Sequence, residues 1–107
     1  LFDGKSHIDF GTQALTKVNS EMTFSFWMKL THPNSQNYYR VFCKRKSWDS
    51  DKGFELEMIP GANRFNFSGA YDYRSNDMGN VEINFDTAWH HYTAILTDKR
   101  LRVYLDG

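Results

Sequence analysis

The clearest pattern in the chain is an alternation of apolar and polar positions over residues 22–30. Every even-numbered position in this stretch carries Met, Phe or Leu, and the odd-numbered positions carry mainly Thr, Ser and Lys. A period of two places the apolar side chains on one side of an extended chain, which predicts a β-strand with one buried face. Trp27 lies on the opposite face, so we expect that face to be partly covered as well.

A β-hairpin is predicted near the end of the chain. Two extended runs, residues 89–96 and 101–107, are separated by the polar residues 97–100, and a short polar connection of this kind is typical of an antiparallel hairpin. Further short strands are predicted at 7–10, 38–46, 54–59, 64–68 and 81–85. No segment shows sustained helical periodicity, so the pattern of about eight short strands predicts an all-β antiparallel sandwich or barrel.

Composition and charge narrow the classes of function. The chain has 107 residues, of which 40% are hydrophobic and 17% aromatic, so we expect one domain with a packed core over residues 1–107. Thirteen basic and 13 acidic residues leave a net charge of zero, so no overall field favours nucleic acid or an anionic membrane as a partner. No apolar run approaches the ~18 residues that a membrane span needs.

The single cysteine, Cys43, excludes an internal disulfide and a zinc site of four thiolates. It follows Val41 and Phe42 in an apolar run. Free cysteines in such runs are usually small buried hydrophobic residues, so we predict that Cys43 is buried.

Two pairs of carboxylates are candidates for chemistry. Glu55 and Glu57 are two residues apart, so their side chains lie on the same face of a strand; the plain alternative is a solvated strand face. Asp49 and Asp51 have the same spacing in a loop, which suits calcium ligands, although capping and turn hydrogen bonds are the ordinary role of such residues. Position twelve counted from Asp49 is Pro60, which excludes a helix–loop–helix calcium site.

Loop aromatics next to polar residues are the most suggestive candidates for ligand binding. Aromatic rings stack on the CH faces of sugars, while amide and carboxylate groups bond the hydroxyls. The alternative is hydrophobic cover over the ends of the sandwich. The candidate ligand-binding residues are Trp48, Tyr71, Asp72, Tyr73, Arg74 and Asn76.

The adjacent residues His90 and His91 point to opposite faces of a predicted strand. They cannot both bind one metal ion without distortion, so we expect packed or hydrogen-bonded structural roles. Trp89, like Trp27, is assigned to the core or to inter-strand packing.

Three motifs in a fixed order resemble the laminin-G-like, concanavalin A-like lectin-glucanase jelly-roll superfamily. FDG at residues 2–4 with HIDF at 7–10 looks like the first strand of that family, and TFSFWMK at 23–29 looks like its second. WHHYTA at 89–94, followed by LRVYLDG at 101–107, looks like its late hairpin. The resemblance spans nearly the whole chain.

The resemblance implies a jelly-roll β-sandwich that acts as a non-catalytic binding module, often for glycans or extracellular proteins, at the cell surface or outside the cell. It also implies other domains in a parent protein and Ca²⁺ as a stabilising ion. Family members normally have more strands after the Asp-Gly at 106–107, so we expect either a fragment truncated at the C-terminus or a partner that supplies those strands. Two alternatives stay open: a structural or protein-interaction domain of a larger assembly, and a glycoside hydrolase that uses Glu55 and Glu57, because glycosidases of this superfamily pair carboxylates on one strand.

Overall fold

The computed structural model describes residues 5–11, 21–45, 53–69, 80–97 and 100–107. The described regular elements are β-strands, apart from one turn of 3₁₀ helix. In chain order they are β1 (Met22–Met28), β2 (Tyr39–Arg45), β3 (Gly53–Ile59), the 3₁₀ turn (Pro60–Ala62), β4 (Arg64–Gly69), β5 (Asn80–Glu82), β6 (His90–Thr97) and β7 (Arg100–Leu105).

The strands form two antiparallel sheets, which confirms the predicted all-β sandwich. One sheet has the order β1-β6-β7 and the other the order β2-β3-β4-β5. The predicted hairpin is the β6–β7 pair, in which Thr97 lies opposite Arg100 and Tyr92 lies opposite Leu105. Residues 98–99 between these strands lie outside the described residues.

The alternation in β1 has the predicted effect. Phe24 is buried between the sheets, whereas Thr23 and Ser25 are exposed. The Phe24 ring stacks on Phe42 of the other sheet, with ring centroids 4.6 Å apart. The core therefore lies between the inner faces of the two sheets, and its buried members are Phe24, Phe54, Leu56, Met58, Phe65, Phe67, Phe85, Tyr92, Ala94 and Leu96.

The predicted first strand at residues 7–10 is wrong for the described segment 5–11. This segment belongs to neither sheet, and Ile8 and Phe10 are 63% and 71% exposed. A strand is held by hydrogen bonds to a neighbouring strand, and none of the described strands pairs with this segment. The predicted strand at 81–85 is also shorter than expected, because only Asn80–Glu82 pairs with β4.

The prediction that Cys43 is buried is wrong, because its side chain is exposed. The register between β2 and β3 shifts between Arg40 and Phe42, as in a β-bulge. The shift turns Phe42 inward opposite Leu56 and places Cys43 opposite Glu55 on the outer face. One inserted residue therefore reverses the side on which the cysteine lies.

Candidate functional site

The loop residues predicted to bind ligand or calcium lie outside the described residues, so they stay predictions. They are Trp48, Tyr71, Asp72, Tyr73, Arg74 and Asn76 for the ligand, and Asp49 and Asp51 for the metal. The other candidates, the Glu55–Glu57 pair, the two histidines and the two tryptophans, lie on described strands or next to them.

The carboxylate pair lies on the outer face of the four-stranded sheet. Leu56, between the two glutamates, is fully buried in the core, so the glutamates point to the other side of the sheet. They are not solvated: the side chains of Glu55 and Glu57 are only 6% and 15% exposed. The expectation of a solvated strand face is therefore wrong, because the alternation of a strand sets the side on which a residue lies but not what covers that side.

Arg40 on β2 holds the two carboxylates together. Its Nε lies 3.2 Å from Glu55 Oε2 and 3.6 Å from Glu57 Oε1. The strand register places Arg40, Glu57 and Asn66 in one row across three neighbouring strands. Because the guanidinium stays charged and contacts both acids, the arrangement is a compact ion-paired cluster.

An exposed aromatic site lies on the outer face of the three-stranded sheet. Trp27 on β1 is directly opposite His91 on β6, and the ring centroids are 5.3 Å apart. His91 Nε2 hydrogen-bonds Ser25 Oγ at 2.8 Å. Tyr104 on β7 lies on the same face one row away, opposite Thr93, and is 46% exposed.

Neither tryptophan lies in the core, the first of the two roles predicted for them. Trp27 and Trp89 are 65% and 64% exposed. The inter-strand packing of Trp27 is confirmed by its contact with His91, but no described element covers its outer side. Trp27 and Tyr104 expose aromatic surface on the same face of the sheet, next to the polar side chains of Ser25 and His91, so this face is a candidate for binding.

A third cluster lies at the open end of the β6–β7 hairpin, where the start of β6 meets the residues that follow β7. His90 Nδ1 donates to Asp106 Oδ2 at 2.6 Å, and His90 Nε2 donates to Asp86 Oδ1 at 3.0 Å. The second oxygen of Asp106 accepts the backbone N–H of His91 at 2.9 Å. The expected structural roles of both histidines are therefore consistent with their hydrogen bonds, and the two rings lie on opposite faces, as predicted.

The hydrogen bonds of this cluster shift the pKa values of its three side chains. The hydrogen bond to Asp106, and then that to Asp86, raises the pKa of His90 above its ordinary value of 6.5. The bond from His90, followed by that from the His91 backbone, lowers the pKa of Asp106 below 3.8. The backbone N–H of Ala88 and the bond from His90 lower the pKa of Asp86 in the same way. Imidazolium is the favoured form of His90, because both ring nitrogens then donate to carboxylates.

Stability should therefore depend on the pH through His90. A raised histidine pKa stabilises the folded state fully below the unfolded value of 6.5, and this contribution is lost as the pH rises through the folded value. The lowered pKa values of Asp86 and Asp106 stabilise the folded state above 3.8 and are lost below it. The full contribution of this cluster is therefore present between about pH 4 and 6.5. Urea unfolding should give a higher free energy of unfolding near pH 5.5 than above pH 8.

The variant His90→Gln should remove most of that difference, and His91→Gln should retain it. His91 is the matched control because its ring hydrogen-bonds Ser25 Oγ, and its bond to Asp106 comes from the backbone N–H, which the substitution keeps. An unchanged pH profile in His90→Gln would show that other groups cause the dependence.

Sequence reasoning missed Arg40, Asp86 and Asp106 as partners. Asp106 could have been found from the hairpin. Pairing Thr97 with Arg100 across a two-residue connection places His91 opposite Asp106. Arg40 lies one residue before the β-bulge, so counting positions along β2 does not place it beside Glu57.

Within the described part of the chain, no group of three or more His, Cys, Asp or Glu side chains is arranged to hold a metal ion. The same residues contain no helix that is long and apolar enough to cross a membrane.

A comparison with known families gave a match. A profile of a laminin G-like family, described as belonging to the concanavalin A-like lectin/glucanases superfamily, matches residues 2–107. Comparisons with curated proteins and with solved structures gave no match. The family match covers almost the entire chain, and the two antiparallel sheets agree with its fold. The chain therefore belongs to the laminin G-like family of the concanavalin A-like lectin/glucanase superfamily.

Proposed function

We propose that this protein is a non-catalytic carbohydrate-binding module of an extracellular or cell-surface protein. The family supports a binding module within a larger protein. The observation that carries the carbohydrate assignment is the exposed Trp27 ring, which lies next to the hydrogen-bonded Ser25 and His91 side chains.

This arrangement meets the two requirements of sugar recognition. A sugar ring has an apolar CH face, which packs on an aromatic ring, and a rim of hydroxyls, which needs neighbouring donors and acceptors. Trp27 supplies a flat apolar surface that is already held against His91, so little side-chain freedom is lost on binding. Ser25 Oγ and the His91 imidazole supply polar groups within reach of the ring edge.

The loop residues extend the same proposal. Trp48, Tyr71 and Tyr73 would stack on further sugar units, and the neighbouring Asp72, Arg74 and Asn76 would bond their hydroxyls. Asp49 and Asp51 are the proposed ligands of a bound Ca²⁺ ion. Their residue types support these roles.

The surroundings of the carboxylate pair support the glycosidase alternative less well than they support a structural role. A retaining glycosidase needs one protonated and one ionised carboxyl group, with the scissile bond between them. Arg40 Nε lies within 3.6 Å of both carboxylates, so a guanidinium occupies their common side. We therefore assign Glu55 and Glu57 to the ion-paired cluster.

A protein-interaction role is the second candidate, and one observation favours it. Ile8 and Phe10 expose apolar side chains in a segment that pairs with neither sheet. Exposed apolar side chains of this kind are typical of contact surfaces for other polypeptides. Contact with further domains of the parent protein is compatible with sugar binding at Trp27.

The variant Trp27→Ala tests the carbohydrate proposal. On a glycan array, with and without calcium, the wild type should bind one class of glycan, and the variant should lose about tenfold or more in affinity, since a stacked tryptophan is worth at least ~1.4 kcal/mol in an interface. Phe10→Ala is the control, because Phe10 is 71% exposed but lies outside both sheets.

The absence of any glycan hit for the wild type, in either condition, would refute lectin function. Retained binding in Trp27→Ala would move the site to the loop residues.

A further inference from the structure

The connection between β1 and β2 forms a depression at the end of the sandwich. It has a volume of about 580 Å³, which is within the range of small-ligand pockets (~300–1,000 Å³). Its lining residues share one property, the absence of Asp, Glu, Lys and Arg. They are Thr31, His32, Pro33, Asn34, Ser35, Asn37 and Tyr39.

Ser35 holds this depression in shape. Its carbonyl oxygen accepts the backbone N–H of Gly61 at 2.7 Å, and its hydroxyl oxygen accepts the Tyr39 hydroxyl at 2.9 Å. The Asn37 backbone N–H also donates to Ser35 Oγ, at 3.2 Å. Loop, strand and 3₁₀ turn are thus joined at one residue, and the site is formed before any ligand arrives.

The close packing of this loop requires glycine at position 61. A Cβ on Gly61 would lie 2.6 Å from the backbone oxygen of Asn34, and it would also meet the Gln36 side chain. Side chains cannot approach backbone that closely without displacement, so the backbone of residues 34–36 rests directly on the 3₁₀ turn.

The polar groups that face a ligand are still available. In the part of the chain that the structure describes, the amide side chains of Asn34 and Asn37 hydrogen-bond no other protein group, and both residues are exposed. Each amide offers both donors and an acceptor. Tyr39 and Pro33, which also line the depression, add apolar surface.

We infer that this depression is a calcium-independent binding site for an uncharged sugar unit. Neutral donors and acceptors suit hydroxyl groups, whereas an anion would need Lys or Arg and a bound Ca²⁺ ion would need carboxylates. Trp27 lies four residues before Thr31, so their Cα atoms are at most ~14 Å apart and one short saccharide can reach both. The inference rests on the proposed carbohydrate function and specifies its ligand as a neutral oligosaccharide that extends from Trp27 into the depression.

The test is a titration of the ¹⁵N-labelled protein with the uncharged disaccharides cellobiose, lactose and maltose, in calcium and in EDTA. The side-chain amide signals of Asn34 and Asn37 should shift with at least one disaccharide, equally in both conditions. The double variant Asn34→Ala, Asn37→Ala should lose about tenfold in affinity, because it removes two hydrogen-bonding groups. Asn84→Ala is the matched control, since Asn84 is exposed and does not line the depression.

The outcomes separate the inference from the proposed function. Three results would each overturn the inference and leave carbohydrate binding standing. They are signal shifts at Trp27 with none at residues 31–39, full affinity in the double variant, and loss of binding in EDTA. If no disaccharide and no glycan on the array binds, both proposals are overturned.

Discussion

Replacing Phe65 with alanine should cost about 3–5 kcal/mol of folding free energy, which is a large part of the 5–15 kcal/mol of a typical domain. Phe65 on β4 is 1% exposed. Its ring packs edge-on against Phe85 and against Tyr92 of the other sheet, with ring centroids 5.3 Å and 5.7 Å apart. Alanine would leave a cavity at the point where the two sheets meet, and rings on both sides would lose their partner.

The measurement is urea unfolding followed by circular dichroism, with Phe10→Ala as the same change at an exposed position. We expect the control to lie within about 0.5 kcal/mol of the wild type. If Phe65→Ala does not fold at all, Phe65→Leu should fold with a smaller loss. Equal stability of Phe65→Ala and the control would show that the sheets do not meet at this ring.

The variant Arg40→Gln should lose about 2 kcal/mol, because it leaves two nearly buried carboxylates side by side without their guanidinium. The Arg40 side chain is 54% exposed, which reduces the effect below that of a fully buried ion pair. Arg102→Gln is the control. Arg102 is exposed, and its bond to Thr97 Oγ1 is long at 3.4 Å, so its removal should change stability by less than about 0.5 kcal/mol.

A second substitution identifies the cause. If repulsion between the carboxylates destabilises Arg40→Gln, then adding Glu57→Gln should recover much of the loss, and a double-mutant cycle measures the coupling. Stability of Arg40→Gln at the wild-type level, or no recovery in the double variant, would show that the guanidinium does not hold the pair in place.

The sequence was informative wherever a strand obeys its own periodicity. The alternation over residues 22–30 predicted which side of β1 is buried, and the polar residues 97–100 predicted the hairpin. Both features follow from local rules, since side chains alternate along a strand and a short connection fixes the pairing of its neighbours.

The wrong predictions share a different origin, because each depended on a neighbour that the local pattern does not specify. The β-bulge after Arg40 moved Cys43 to the outer face. The burial of Glu55 depends on what covers the outer side of β3, and the strand at residues 7–10 would need a partner strand. Trp27 was placed on the correct face, but its exposure depends on which elements pack there.

The left-handed backbone of Asp106 has a consequence for the edge of the three-stranded sheet. Its φ of 56° is one that Asp tolerates better than most residues, and its carboxylate bonds both His90 and the His91 backbone. The β6–β7 hairpin is therefore fastened at its open end as well as at its turn. Fraying of β7 from this end would expose the backbone groups of β6 as well, so we expect the Asp106 bonds to oppose local opening of this sheet edge.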